Sequence, residues 1–258
     1  MDKTRKSLAY SVVFKAGARL LQIFEEKDKG FFSIREKESL DFVSEFDKQA
    51  EKIIISEIHL HFPDDGILSE ESPESEGKIK FRWIVDPLDG THNFLAGFRE
   101  WGVLLALEKK GEIIYGICYF PALKEIFVAE KGEGAFLNGE KIKVSNANKF
   151  KGQMFCSDGI LRKKPKEILK DIERFCGVGC RLRVYGSSPY SFTRVAMGQA
   201  VVATNRLGKS WDIAAPTLLV EEAGGKVTDE KGNPWRLDSE CLIAANGLLH
   251  EKSLALLR

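Results

Sequence analysis

Apolar residues recur at alternate positions from about residue 80 to 144, and at every third or fourth position in the segments before it. That single switch in period constrains the fold more than any other feature, because a period of two lays a half-buried strand and a period near 3.6 an amphipathic helix. The strand block reads "FRWIVD", "WGVLLALEKKGEIIYGICYF" and "EIFVAEKGEGAFLNGEKIKVS", with Lys-Gly and Asn-Gly pairs where hairpins turn. It predicts an antiparallel meander. Ahead of it, residues 3–27 carry Leu8, Val12, Ala16, Leu20 and Ile23 at helical spacing, and residues 44–61 carry Ala50, Ile53, Ile54 and Ile58. A charged, glycine-containing connection over 27–39 separates these two helices, and Pro63-Asp64-Asp65-Gly66 ends the second in a turn. After about 150 the pattern alternates. Strands are predicted near 153–157, 181–185, 200–204, 226–229 and 241–245, with helices over 165–175, 189–198, 212–223 and 248–257. This order predicts an α+β chain: a layered α-β-α-β-α sandwich of two packed, mixed or antiparallel sheets. We expect two halves, 1–150 and 151–258, forming one compact unit, since no linker composition marks the boundary.

The 39 basic and 38 acidic side chains leave a net charge of +1. No basic excess points to nucleic acid, and no apolar run approaches the ~20 residues of a membrane span. The N-terminus "MDKTRKSLAY" starts charged, without the apolar segment of a signal peptide. A cytoplasmic protein with no nucleic-acid or membrane partner is expected. Five scattered cysteines (118, 156, 176, 180 and 241) suit reduced thiols better than a disulfide framework.

The chemistry concentrates in "WIVDPLDGTHNF", residues 83–94. Asp86 is carried to the end of an apolar strand, Pro87 offers no ladder donor and so should stop the sheet, and Asp89 follows within a turn. Two close carboxylates repel and raise one pKa. A divalent cation removes that penalty, and hard oxygen donors suit Mg²⁺, which keeps positions for water and phosphate. Gly90 has no side chain to block a ligand, and a helix opening at "GTHNF" would aim N–H groups at an anion. Taken alone, Asp89 reads equally well as a helix cap. Two further stretches bear on the choice: adjacent Glu70 and Glu71 in "ILSEES", and Asp212 at a helix start in "SWDIAAPTLLVEEAGG". A solvated acidic loop and an N-cap are their bland readings.

Together, in order along the chain, "DFVSEFD" (41–47), "SEES", "WIVDPLDGTHNF", "YGSSPYSFTRVAMGQ" and "WDIAAPTLLVEEAGG" resemble the signatures of the inositol monophosphatase family, Mg²⁺-dependent, lithium-sensitive sugar-phosphate phosphatases. The resemblance implies that Glu70, Asp86 and the Leu88 carbonyl hold a first Mg²⁺. Asp86 would bridge to a second ion also held by Asp89 and Asp212, and Glu70 would share a third. It further implies that Gly90 and Thr91 offer N–H groups to phosphate, and that Thr91 Oγ, polarised by Asp47, orients the attacking water, making Asp47, Glu70 and Thr91 the catalytic set. Gly186, Ser187, Ser188 and Asn205 would meet the sugar, with Asp89 and Asp212. A homodimer is the family expectation.

The implied substrate is a sugar or polyol phosphate, inositol 1-phosphate or fructose 1,6-bisphosphate. Asn205 stands where inositol phosphatases of this family usually carry a glutamate, and an amide changes the donor balance toward hydroxyls. Arg206 and Lys209 read either as candidates for a second phosphate or, at least as well, as residues of a solvated loop. A 3′-nucleotidase acting on adenosine bisphosphate and a regulatory protein of the transcription or translation machinery are the alternatives. The covalent haloacid-dehalogenase chemistry is excluded, since its two aspartates lie two apart rather than three. His92 receives no role.

Overall fold

A computed structural model describes residues 3–26, 36–159 and 163–257, with residues 36–44 by backbone alone. Two helices open the chain, α1 (Lys3–Glu26) and α2 (Glu36–His61). The expected connection over 27–39 lies outside the described residues as far as 35, and α2 begins at Glu36, earlier than apolar spacing suggested. A seven-stranded sheet follows: β1 (Gly66–Ser69), β2 (Phe81–Asp89), β3 (Gly102–Lys109), β4 (Glu112–Phe120), β5 (Glu125–Glu130), β6 (Gly134–Leu137) and β7 (Glu140–Lys141), adjacent in chain order. From β2 onward every pair is antiparallel, as the meander reading expects, while β1 adds to the edge in parallel. Lys110-Gly111 and Asn138-Gly139 take positive φ, the conformation that two-residue hairpin turns require.

The second sheet is mixed. Its strands β8 (Met154–Gly159), β9 (Arg181–Arg183), β10 (Val202–Arg206), β11 (Gly225–Thr228) and β12 (Cys241–Asn246) take the order β11-β12-β10-β8-β9. Four helices complete this half: α4 (Pro165–Gly177), α5 (Ser188–Ala196), α6 (Ser210–Glu222) and α7 (His250–Leu257); the short α3 (Thr91–Ala96) follows β2. Between the sheets lie α5 and α6, while α1 and α2 cover the outer face of the first sheet and α4 and α7 that of the second. This gives the five α-β-α-β-α layers expected from the sequence.

Each interlayer has its own apolar core. Helix α6 is buried continuously from Ile213 to Val220, as a helix covered on both sides must be. It approaches β4 at Gly116, where a Cβ would stand 3.0 Å from Ala215 Cα and O. Since α6 also carries Asp212, this contact sets the height of the acidic site above the first sheet. The five cysteines are all free thiols, Cys176 alone being exposed. We predict that Gly116→Val destabilises the fold by about 1–3 kcal/mol through overpacking against α6. A lowered urea midpoint at unchanged slope checks this, and an unchanged midpoint would contradict it.

Candidate active site

Asp86 and Asp89 come from one strand, and their spacing should set them on opposite faces, because side chains alternate along β structure. The structure resolves this with a bulge. Asp86 pairs with Leu104 and Asp89 with Gly102, so three steps on β2 face two on β3. One extra residue restores the common face. Pro87 therefore does not end the strand, as the sequence suggested; it sits in the irregular interval, where its missing N–H costs no ladder bond, and pairing resumes beyond it. Leu88 N–H turns back to Asp86 Oδ1 at 3.1 Å.

Gly90 follows in the left-handed region at φ 74°, and a Cβ there would stand 2.7 Å from Glu100 O. Both observations require glycine. Helix α3 is anchored by Phe94, buried edge-on against Trp101 at 4.9 Å and beside Phe24 at 5.5 Å. His92 is exposed, in keeping with no assigned role.

Carboxylate oxygens of Asp86, Asp89 and Asp212 all lie within 4.8 Å of one another. Asp212 is the third residue of α6 rather than its cap: Oδ2 accepts the Lys209 N–H at 2.9 Å from within the first turn. Glu70 faces Asp86 from the end of β1 and remains open to solvent on one side. Burial shifts every member upward, and repulsion from neighbouring carboxylates adds to it at Asp86, Asp89 and Glu70, whereas Asp212 is raised by burial alone. Asp86 and Asp89 are held well above the usual carboxylate range, Glu70 is pushed up to about 7 and Asp212 to about 6. Asp47 is pushed up to about 8 by burial, then by Glu71, Glu70 and Glu51, and its Oδ1 is buried without a partner. A polycarboxylate cluster this crowded, with an orphaned acceptor beside it, fits a hard divalent cation.

Not every expected contact forms. Thr91 hydroxyl donates to Leu88 O at 3.0 Å rather than to Asp47. Ser187 is nearly fully buried, donates to Asp89 Oδ2 and accepts the Tyr190 N–H at 3.1 Å as the cap of α5. Gly186 is exposed and Ser188 half-buried at the rim of the same loop. Asn205 is 2% exposed on β10, its Nδ2 unpartnered against Gly208. Arg206 is spent elsewhere: its guanidinium takes Asp171 at 2.7 and 3.1 Å and Glu230 at 2.9 Å, so it is not poised for a second phosphate. Lys209 is exposed at the start of α6.

The sequence reading missed three supporting residues. Glu51 is buried one helical turn after Asp47 and accepts from Ser69 Oγ, from Ser72 Oγ at 2.6 Å and from Glu71 N at 3.3 Å, which shapes the loop presenting Glu70. An acid on the apolar stripe of α2 was its visible signal. Asn93 donates to Glu100 O and to Tyr185 O, both at 2.7 Å, tying α3 to the loop before α5. Asp158, buried on β8, accepts the Gly186 N–H at 2.8 Å and the Ser191 hydroxyl. Nothing in a short strand distinguished it.

Comparison with known proteins agrees with this architecture. The model of the inositol monophosphatase family matches residues 2–258, and the chain belongs to that family. The histidinol-phosphatase of Chlorobaculum parvum is 36% identical over 96% of this chain and 94% of its own length. The fructose-1,6-bisphosphatase/inositol-1-monophosphatase of Thermotoga maritima is 36% identical over 82% and 80%. Among solved structures, the extragenic suppressor protein suhB from Bartonella henselae superposes with a TM-score of 0.88 at 32% identity, covering 99% of both chains. The family is generally metal-dependent, and the acidic cluster is a cluster that can bind metal.

Raised carboxyl pKa values favour the metal-free fold at acid pH. Their contribution is complete below the unfolded value near 4 and is lost as pH rises through the folded values of about 6, 7 and 8 for Asp212, Glu70 and Asp47. The chelated protein should therefore lose Tm between pH 5 and 8.5, while added Mg²⁺ should raise Tm more at pH 8 than at pH 5. Thermal scans with EDTA or Mg²⁺ test this, and a Mg²⁺ increment independent of pH would count against it.

Proposed function

We propose that the chain is a Mg²⁺-dependent phosphomonoesterase that hydrolyses a sugar or polyol phosphate, inositol 1-phosphate or fructose 1,6-bisphosphate. The observation that carries this reading is the convergence of Asp86, Asp89 and Asp212 beside the left-handed Gly90. Glu70, Asp86, the Leu88 carbonyl, Asp89 and Asp212 would hold two or three Mg²⁺. Bound there, Mg²⁺ supplies charge neutralisation for the phosphoryl and leaving oxygens and makes a water acidic enough to attack at neutral pH.

The remaining work falls to the chain itself. Gly90 and Thr91 N–H groups bind the phosphate and fix its face. Thr91 Oγ, which donates to Leu88 O in the structure, would orient the attacking water by turning its hydroxyl to Asp47 when that carbonyl holds a cation; the unpartnered Asp47 Oδ1 has the acceptor capacity free. Gly186 and Ser188 at the rim, with Ser187, Asn205, Asp89 and Asp212 deeper, form the sugar side. Attack is in line and no phosphoenzyme forms, so Asp86 and Asp89 act as ligands. Alignment and charge neutralisation are what this slow reaction lacks in water.

The Chlorobaculum parvum relative adds histidinol phosphate to the substrates worth testing. Likeness to the protein named Nus factor SuhB in Xylella fastidiosa, 34% identical over 90% of this chain, favours the regulatory reading as the second one, and the two differ in one measurement. A phosphate-release panel over inositol 1-phosphate, fructose 1,6-bisphosphate, histidinol phosphate and adenosine 3′,5′-bisphosphate should show turnover of at least one sugar or polyol ester, abolished by EDTA and restored by Mg²⁺. Asp86→Asn should lower kcat/KM by about 10²-fold or more. Turnover that survives chelation, or a panel with no release, would overturn the proposal, the latter in favour of the regulatory reading.

A further inference from the structure

The segment 185–187 runs from the rim of the site at Gly186 to buried Ser187, and it belongs to no strand or helix. Backbone without a ladder must find its hydrogen bonds elsewhere. Here Asp158 and Asn93 supply them from opposite sides. Asp158 lies on β8, 5% exposed and facing α5, in the register position beside Asn205. One carboxylate oxygen accepts Gly186 N–H at 2.8 Å, the other accepts the hydroxyl of Ser191, itself fully buried, and Tyr185 N–H adds to the same group. From the other side Asn93 Nδ2 takes Tyr185 O at 2.7 Å. Gly186 sits at φ 71°, and a Cβ on it would stand 3.0 Å from Asn93 Oδ1, so the loop is closely held between the two side chains.

From there the connection runs to the acidic cluster through a single residue, Ser187, which donates to Asp89 Oδ2. We propose that Asp158 is a positioning residue for substrate selection: it fixes the 185–187 loop against the Asp89 side of the site, and so sets where the non-phosphate part of the ester rests. This inference rests on the phosphomonoesterase reading above.

A buried carboxylate is a costly choice for a merely structural post, and the donor inventory explains it. The backbone groups facing Asp158, Gly186 N–H and Tyr185 N–H, can only donate, and an ionised carboxyl accepts from both and from the Ser191 hydroxyl without bringing a proton of its own. An amide would keep one acceptor and turn an NH₂ toward Gly186 N–H or the Ser191 hydroxyl. The loop would then shift, and with it the Ser187 hydroxyl that bonds Asp89, while the carboxylates of Asp86 and Asp212, which the loop does not touch, keep their places.

The consequence is a selective loss. Asp158→Asn should raise KM about tenfold for whichever of inositol 1-phosphate, fructose 1,6-bisphosphate or histidinol phosphate the unmodified protein turns over best. Hydrolysis of p-nitrophenyl phosphate, whose flat leaving group needs no sugar contacts, should keep its KM within twofold; whatever the loop passes through Ser187 to Asp89 should appear instead in the Mg²⁺ concentration for half-maximal rate, equally for both substrates. Ser191→Ala removes one Asp158 partner without altering charge and should raise the same KM about threefold; it decides the matter if Asp158→Asn does not fold. Equal losses on both kinds of substrate, or no change in KM in the folded variants, would overturn the positioning role. Failure of the unmodified protein to release phosphate from any ester would instead overturn the phosphatase reading on which it rests.

Discussion

Repulsion among carboxylates that the fold crowds together is the constraint to which the rest of the structure answers. Asp86, with one percent of its surface exposed, faces Glu70, Asp89 and Asp212, and Asp47 feels the same field from α2. Groups so placed cannot all ionise in a poorly solvated site, so each is pushed toward its neutral form. A chain that keeps them together without a compensating cation gives up stability at neutral pH. The arrangement is intelligible as a site completed by a divalent ion.

Holding such a cluster requires rigid surroundings, and the layers provide them. The acids arrive from four places: α2, the end of β1, the bulge in β2 and the first turn of α6. Two of these elements are tied at close quarters to buried apolar layers, β2 through Phe94 and Trp101 just beyond it and α6 through Ala215 against Gly116. Polar supports finish the work. Glu51 shapes the loop of Glu70, Ser187 steadies Asp89, and Lys209 N–H fixes Asp212. Interactions with a backbone N–H or a hydroxyl cost little when the alternative is a mobile carboxylate in a crowded site.

Much of this was legible before any coordinates. The period-two block delivered the meander and its turns at Lys110-Gly111 and Asn138-Gly139, because hairpin chemistry is local. Asp86, Asp89 and Asp212 are recognisable as a set from two short motifs and the family they resemble. The failures were instructive. Pro87 read as a strand terminus because a missing donor usually ends a ladder, yet a bulge absorbed it. Arg206 reads as a candidate for a second phosphate or as a solvated loop residue because charge in a sequence carries no partner, and Asp171, thirty-five residues away, holds it. Thr91 reads as polarised by Asp47, and in the structure its hydroxyl donates to the Leu88 carbonyl.

The amino-acid sequence by itself determined the element types, the five-layer order and the identity of the acids that cluster, since periodicity and motif spacing are properties of neighbouring residues. Only the tertiary structure decided which acids meet, and on which face. The one-residue bulge that brings Asp89 round to Asp86, the Asp158 and Asn93 grip on the 185–187 loop, and the burial of Asn205 all depend on pairing between distant strands. Register across a sheet is set by partners far away in the chain, and no local pattern records it.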